Sequence, residues 1–290
     1  MISGRLPTYF ISHGGGPWPW LVDQMPGDFG PLQRSLEAIP EKLGTRPRAI
    51  LAVSGHWETS EFTVQTNPRP PMLYDYGGFP EFTYHVQYPA PGSPEVAERV
   101  VSLLDDADIP VHRDGDRGFD HGVFAPFVVA YPEADVPILQ LSIQRGYDPA
   151  RHLAVGRVLA PLRDEGVLIV GSGFSYHNLA MFGPAAERPS REFEAWLTDT
   201  LVEGPVGGRS AALLDWERAP SARASHPAAD HLIPLMVAVG AAEDDAGVRT
   251  YFQPDFMGSI TSASYRFGPL PVSDAPDAAE GAVAASGGHR

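Results

Sequence analysis

Val167–His177 reads VLIVGSGFSYH: four branched apolar residues in an unbroken run, a short Gly-Ser-Gly exit, and then an imidazole. A run of this kind bounded by small residues is the pattern of a strand buried on both faces of a sheet. The same grammar appears in TYFISH, Thr8–His13, and in AILAVSGH, Ala49–His56. In an open α/β sheet, ligands gather beyond the carboxyl ends of the strands, so histidines at such exits can converge on one ion. A fourth, His231, opens the apolar stretch DHLIPLMVAVGAA.

Outward from these runs, helical and β-branched segments alternate. PLQRSLEAIPEKL follows the first strand, and PEVAERVVSLLDD precedes a strand at Ile109–His112. Val136–Ile143 is a further strand, and PARHLAVGRVLAPLRDEG leads into Val167–Gly171. The rhythm predicts an α/β fold, a mainly parallel central sheet flanked by helices, in a single domain. Three helical patterns follow, REFEAWLTDTLVE, SAALLDWE and AADHLIPLMVAVGAA, the last taken as amphipathic; the strand RTYFQPDF and an edge-like SASYRFG finish the fold. Residues 1–272 form the expected catalytic domain. The remainder, 273–290, is too poor in large apolar residues to pack and is expected to be a disordered acidic, small-residue tail. Between Asn67 and Pro94 lies a long stretch dense in Pro, Gly and aromatics, either a lid or wall of a binding site or a surface excursion covering the sheet edge.

Composition excludes whole classes of chemistry. The chain has no cysteine, so disulfides, thiolate ligands and cysteine nucleophiles are out, and only nitrogen and oxygen ligands remain. A formal net charge of −15 repels nucleic acid and anionic membranes, which favours a small-molecule substrate. Arg145 is the cation guessed to receive any substrate carboxylate. No stretch approaches the ~20 apolar residues of a membrane span, and the start of the chain lacks a signal-like segment, so a cytoplasmic location is expected. There is no GxSxG elbow and no HExxH, and the glycines of HGGGP are not followed by a phosphate-loop lysine.

The remaining candidates are histidines with a carboxylate or turn beside them. His13 sits in ISHGGGPWPW, where glycines permit close approach of a ligand, and His56 lies in SGHWE. His121 follows Asp120, which is expected to cap the helix that begins there. His231 follows Asp230, so one chain segment presents an imidazole and a carboxylate together. Any of these taken singly is as readily a hydrogen-bonded core histidine. His85, His112, His152 and His289 have no such placement and are assigned to surface or packing.

The joint pattern HGGGPWPW, SGHWE, YDYGGFPEFTYHVQYPAPGSPEVA, DHGVFAPF, GSGFSYHNL and HPAADHLIPLMVAVGAA, running from about Thr8 to Phe267, resembles the class III extradiol ring-cleaving dioxygenases, in their DOPA dioxygenase-like branch. The resemblance implies a non-haem metal enzyme that inserts both atoms of O2 into a catechol-type ring and yields a ring-opened semialdehyde acid. It implies His13, His56 and His231 as metal ligands, and His177 as acid/base residue or fourth ligand at rest. It further implies His121 as a group that hydrogen-bonds substrate or oxygen. Fe(II) is the expected active metal. Because His231 stands where a carboxylate ligand is commoner, Zn(II) is expected to occupy the site readily, and Asp230 competes for the ligand role. The implied partners are a small aromatic diol and O2, with no nucleic acid and no membrane; oligomeric state is left open. Two rival readings stay in view, a zinc-dependent hydrolase on the same scaffold and a non-catalytic binding module.

Overall fold

The computed structural model describes residues 4–25 and 27–271. In chain order its strands are β1 (Thr8–Ser12), β2 (Ala49–Ser54), β3 (Glu58–Thr59), β4 (Phe62–Gln65), β5 (Val111–Asp114), β6 (Ile138–Gln140), β7 (Ile143–Gln144), β8 (Val167–Gly173), β9 (Gly247–Phe256) and β10 (Ile260–Phe267). Its α-helices are α1 (Gly30–Leu43), α2 (Pro94–Asp105), α3 (His121–Ala130), α4 (Pro149–Leu159), α5 (Pro184–Thr198), α6 (Arg209–Leu214), α7 (Ala222–Ser225) and α8 (Ile233–Gly240).

The main sheet has the order β6-β2-β8-β1-β10-β9. Its first four strands are parallel, and β10 and β9 continue it antiparallel. Strand residues alternate strictly between two cores. Phe10, Leu51, Val53, Val167 and Ile169 point into the core shared with α2, α4, α5 and α8. Tyr9, Ile11, Ile50, Ala52, Leu168 and Val170 point into the one shared with α1 and α3. Two apolar faces explain why these strands read as continuous runs. The register fixes what happens at their ends: Ser12 pairs with Gly173 and Ser54 with Ser172, so β1, β2 and β8 finish at one edge. His13 and His56 leave the sheet there.

The α/β architecture is as the sequence predicts; several particulars differ. The strand expected at Ile109–His112 is Val111–Asp114, and it pairs with the unforeseen β4 in a separate two-stranded sheet. Expected strand Val136–Ile143 is split into β6 and β7, with Leu141 and Ser142 between them. The edges of the main sheet are β6 and β9, and β10 is buried between β1 and β9. Every residue of α8 is buried, so the helix expected to be amphipathic is apolar on all sides, packed between α4 and the sheet. His231 lies two residues ahead of it. The tail expected at 273–290 lies outside the described residues. No described helix is long and apolar enough to cross a membrane.

Candidate metal centre

Two glycines let distant segments close on the strand edge. A Cβ at Gly173 would lie 2.0 Å from the His231 carbonyl oxygen, and one at Gly55 would lie 2.9 Å from that of Asp230. With hydrogen there instead, Phe174 donates its amide to the His231 carbonyl at 3.0 Å. The segment before α8 is thereby laid across the ends of β8 and β2, and His231 meets the imidazoles that leave the sheet.

All five histidines singled out from the sequence line one cavity of about 420 Å³. His56 Nε2 is 3.3 Å from His13 Nε2 and 3.1 Å from His231 Nε2. The opposite ring nitrogens are all engaged. Ser172 Oγ gives its only proton to the Gly122 carbonyl, so at 3.1 Å it accepts one from His13 Nδ1. His231 Nδ1 donates to Asp230 Oδ2 at 2.7 Å, and His56 Nδ1 faces Asp75 Oδ2 at 3.3 Å. Neutral rings whose protons sit on Nδ1 present lone pairs at Nε2. Lone pairs held 3.1 and 3.3 Å apart repel unless a cation lies between them. Nitrogens at about 2.1 Å from one ion stand about 3.0–3.4 Å apart for right-angled to tetrahedral coordination, and both pairs made by His56 fall in that range.

Protonation favours the same arrangement. Burial, reinforced by the neighbouring imidazoles, holds His13 and His56 well below the usual histidine range. Burial also pulls His231 down to about 4, against the opposing pull of Asp230. The Asp230 carboxyl is disfavoured as an anion by its own burial, yet contacts from His177 and His231 outweigh that and keep it far below the ordinary carboxylate range.

His121 and His177 flank this trio. His121 opens α3, its ring centroid 3.9 Å from that of His56. Its Nδ1 and backbone N–H both donate to Asp75 Oδ1, at 2.8 and 3.0 Å. The expected cap is therefore corrected: Asp120 stands at the cap position, but its side chain accepts from Ser54 Oγ and Arg117, both at 2.7 Å, and Asp75 meets the helix amide. The His177 ring stacks on His231 with centroids 3.4 Å apart, and its Nδ1 is 3.8 Å from Asp230 Oδ1. By ligand-atom spacing the groups able to hold an ion are His13, His56 and His121, and His177, Asp230 and His231. The trio expected from the sequence straddles the two through the direct contacts of His56.

The guess at Arg145 is not borne out, since its side chain is 70% exposed, pairs with Glu58 and does not line the cavity. His85 and His112 are exposed and pair with Glu81 and Glu61. His152 is a buried packing residue whose Nε2 accepts from the Gln144 amide, and His289 lies outside the described residues. Asp75 and Ser172 are site residues that sequence reasoning missed. Asp75 is one of only two acids in the Asn67–Pro94 stretch, which proves to be a wall of the cavity through Asp75 and Phe79. Ser172 lies in the Gly-Ser-Gly exit of β8.

Comparison with known proteins is consistent throughout. The family described as the catalytic LigB subunit of aromatic ring-opening dioxygenase matches residues 7–268. A dioxygenase named tasH from Hapsidospora irregularis is 39% identical over 270 residues, covering 86% of this chain and 82% of its own length. The 4,5-DOPA dioxygenase extradiol of Beta vulgaris is 37% identical, with 90% of this chain and 96% of the relative covered. That of Escherichia coli K12 is 36% identical, with 92% and 97% covered. The crystal structure of an uncharacterized protein from Escherichia coli K12 superposes with a TM-score of 0.72 at 33% identity, covering 91% of this chain and 100% of that one.

Proposed function

The chain belongs to the family of the catalytic LigB subunit of aromatic ring-opening dioxygenases and is an extradiol ring-cleaving dioxygenase; from that premise we propose that it opens a catechol-type ring with O2 to a semialdehyde acid. In this reading Nε2 of His13, His56 and His231 holds the metal, and Fe(II) is the ion of the active enzyme. Fe(II) supplies a Lewis acid for the two diol oxygens and an electron path from ring to O2, whereas Zn(II) in the same ligands supplies only the first. The observation that carries the reading is His56 Nε2 faced by those of His13 and His231, with the Nδ1 partners of the outer two already fixed.

The other residues take their roles from position. His177, with Nδ1 turned toward Asp230, accepts the first diol proton at Nε2 and returns it later in the reaction. His121, with Nδ1 held by Asp75, leaves Nε2 to hydrogen-bond the diol. Phe174 packs edge-on against His13 and parallel to His177, excluding water from the imidazole floor. Ser172, Asp230 and Asp75 fix ring orientation, the part that outer-sphere partners play at metal sites.

The test is anaerobic reconstitution with Fe(II), then mixing with O2 and a panel of catechols. Oxygen consumption with a yellow ring-opened product is the expected result, and none across the panel overturns the reading. His177→Ala is expected to keep its metal and lose about 10²–10⁴-fold in kcat. Loss of the metal instead would make His177 a ligand.

A further inference from the structure

Besides the imidazoles, the cavity is lined by the apolar side chains of Met25, Phe79, Leu179, Phe182, Met257 and Ile260. Leu179 is 71% exposed and Phe182 39%, so apolar surface continues from the cavity onto its rim. Large apolar side chains left in water around a pocket mark where a ligand covers them. No lysine or arginine lines the cavity among the described residues. Of the guanidiniums carried by neighbouring segments, Arg117 and Arg145 are committed elsewhere, and neither they nor Arg69 line the cavity. Arg117 donates to Asp120 at 2.7 Å and stacks over Trp57 at 5.1 Å, while Arg145 pairs with Glu58 at 2.9 Å. Asp75 is the one acidic side chain in the lining, and both its oxygens are turned onto His56 and His121.

Resting on the oxygenase reading above, we propose that the pocket takes an uncharged catechol with an apolar substituent, in preference to a diol carrying a carboxylate or an amino-acid group. The diol end lies on the imidazole floor, and the substituent lies along Phe79, Leu179, Phe182 and Met257 toward the mouth. A substituent carboxylate in that position gives up water and gains no cation, and an ammonium gains no free acid; an unpartnered charge or polar group in an apolar wall is strongly disfavoured. The overall charge of −15 adds a long-range field against anionic diols.

The test compares 4-ethylcatechol with 3,4-dihydroxyphenylacetate, which differ in an ionised group on a side chain of similar length, with DOPA as a third arm. Oxygen uptake by the Fe(II) enzyme gives kcat/KM, and calorimetric titration of the Zn(II)-loaded protein gives affinity without turnover. The alkyl diol is expected to win by at least about 100-fold in kcat/KM, mostly in KM, with the same ranking in affinity. Leu179→Arg places a guanidinium at the rim and is expected to narrow that ratio about tenfold by a gain on the acid. Equal or better use of the acid or of DOPA by the unmodified enzyme overturns the inference and leaves the oxygenase reading standing. No uptake with any diol overturns both.

Discussion

Asp75 joins two histidines that the sequence places 65 residues apart, His56 at the end of β2 and His121 at the start of α3. One oxygen faces each Nδ1, which orients both rings and sends their Nε2 atoms toward the cavity. Asp75→Asn keeps the shape but turns one acceptor into a donor, so one of the two rings loses its partner. We expect metal affinity to fall about 10–100-fold, the range typical for such outer partners. Competition against a chelator checks this, and unchanged affinity would reduce Asp75 to a loop anchor. The same titration tests protonation. An ordinary histidine, with a pKa near 6.5, releases metal as pH falls through that value. Here burial lowers His13 and His56 and brings His231 to about 4, so the ligands stay neutral well below that point. Metal affinity should therefore hold within about threefold from pH 7.5 to 5.5, and a steep fall starting near 6.5 would show ordinary, solvated imidazoles.

At the level of elements, the close approach of β8 to the segment before α8 decides whether His231 reaches its partners. Gly173→Ala puts a methyl group against the His231 carbonyl, a backbone atom that cannot rotate away. The variant is expected to lose metal binding outright and several kcal/mol of stability, as overpacking against fixed backbone commonly does; a fold and metal affinity like those of the unmodified chain would show that this approach is soft. Which elements were legible follows from the same geometry. β1, β2 and β8 could be read because burial on both faces leaves an unbroken apolar run, and their histidines followed from strand exits. The β4–β5 pair could not, because β5 is only partly buried and neither strand carries that signature. The unbroken apolar stretch of α8 gives no helical period from which a polar side could be inferred, and its burial on all sides comes from packing against α4. Asp75 and Ser172 act only through residues far away in the chain, at His56 and His121 for one and at His13 and Gly122 for the other. Nothing local marks them.

For the whole molecule, the important fact is where the proposed ligands originate. His13 follows the first strand, His56 the second, and His231 precedes the last described helix, so an ion held by all three ties the first strand, the second strand and a segment some 175 residues further on to one point. The three Nε2 atoms adjoin only when the parallel strands are in register and α8 is docked, so an unfolded chain offers no comparable site. Metal binding should then stabilise the fold by RT ln(1 + [M]/Kd), about 2.7 kcal/mol at a hundredfold excess over Kd, less whatever scattered histidines bind in the unfolded state. For a chain of this length that corresponds to a rise in Tm of roughly 5 °C. The expected experiment is a thermal melt with and without added Zn(II), which avoids oxidation, on the unmodified protein and on His231→Ala. The rise should appear in the first and vanish in the second, while His112→Ala, an exposed histidine paired with Glu61 away from the cavity, keeps it. A rise of equal size in all three would mean that the ion binds surface imidazoles, and that the cluster at the strand ends is held together by packing and hydrogen bonds alone.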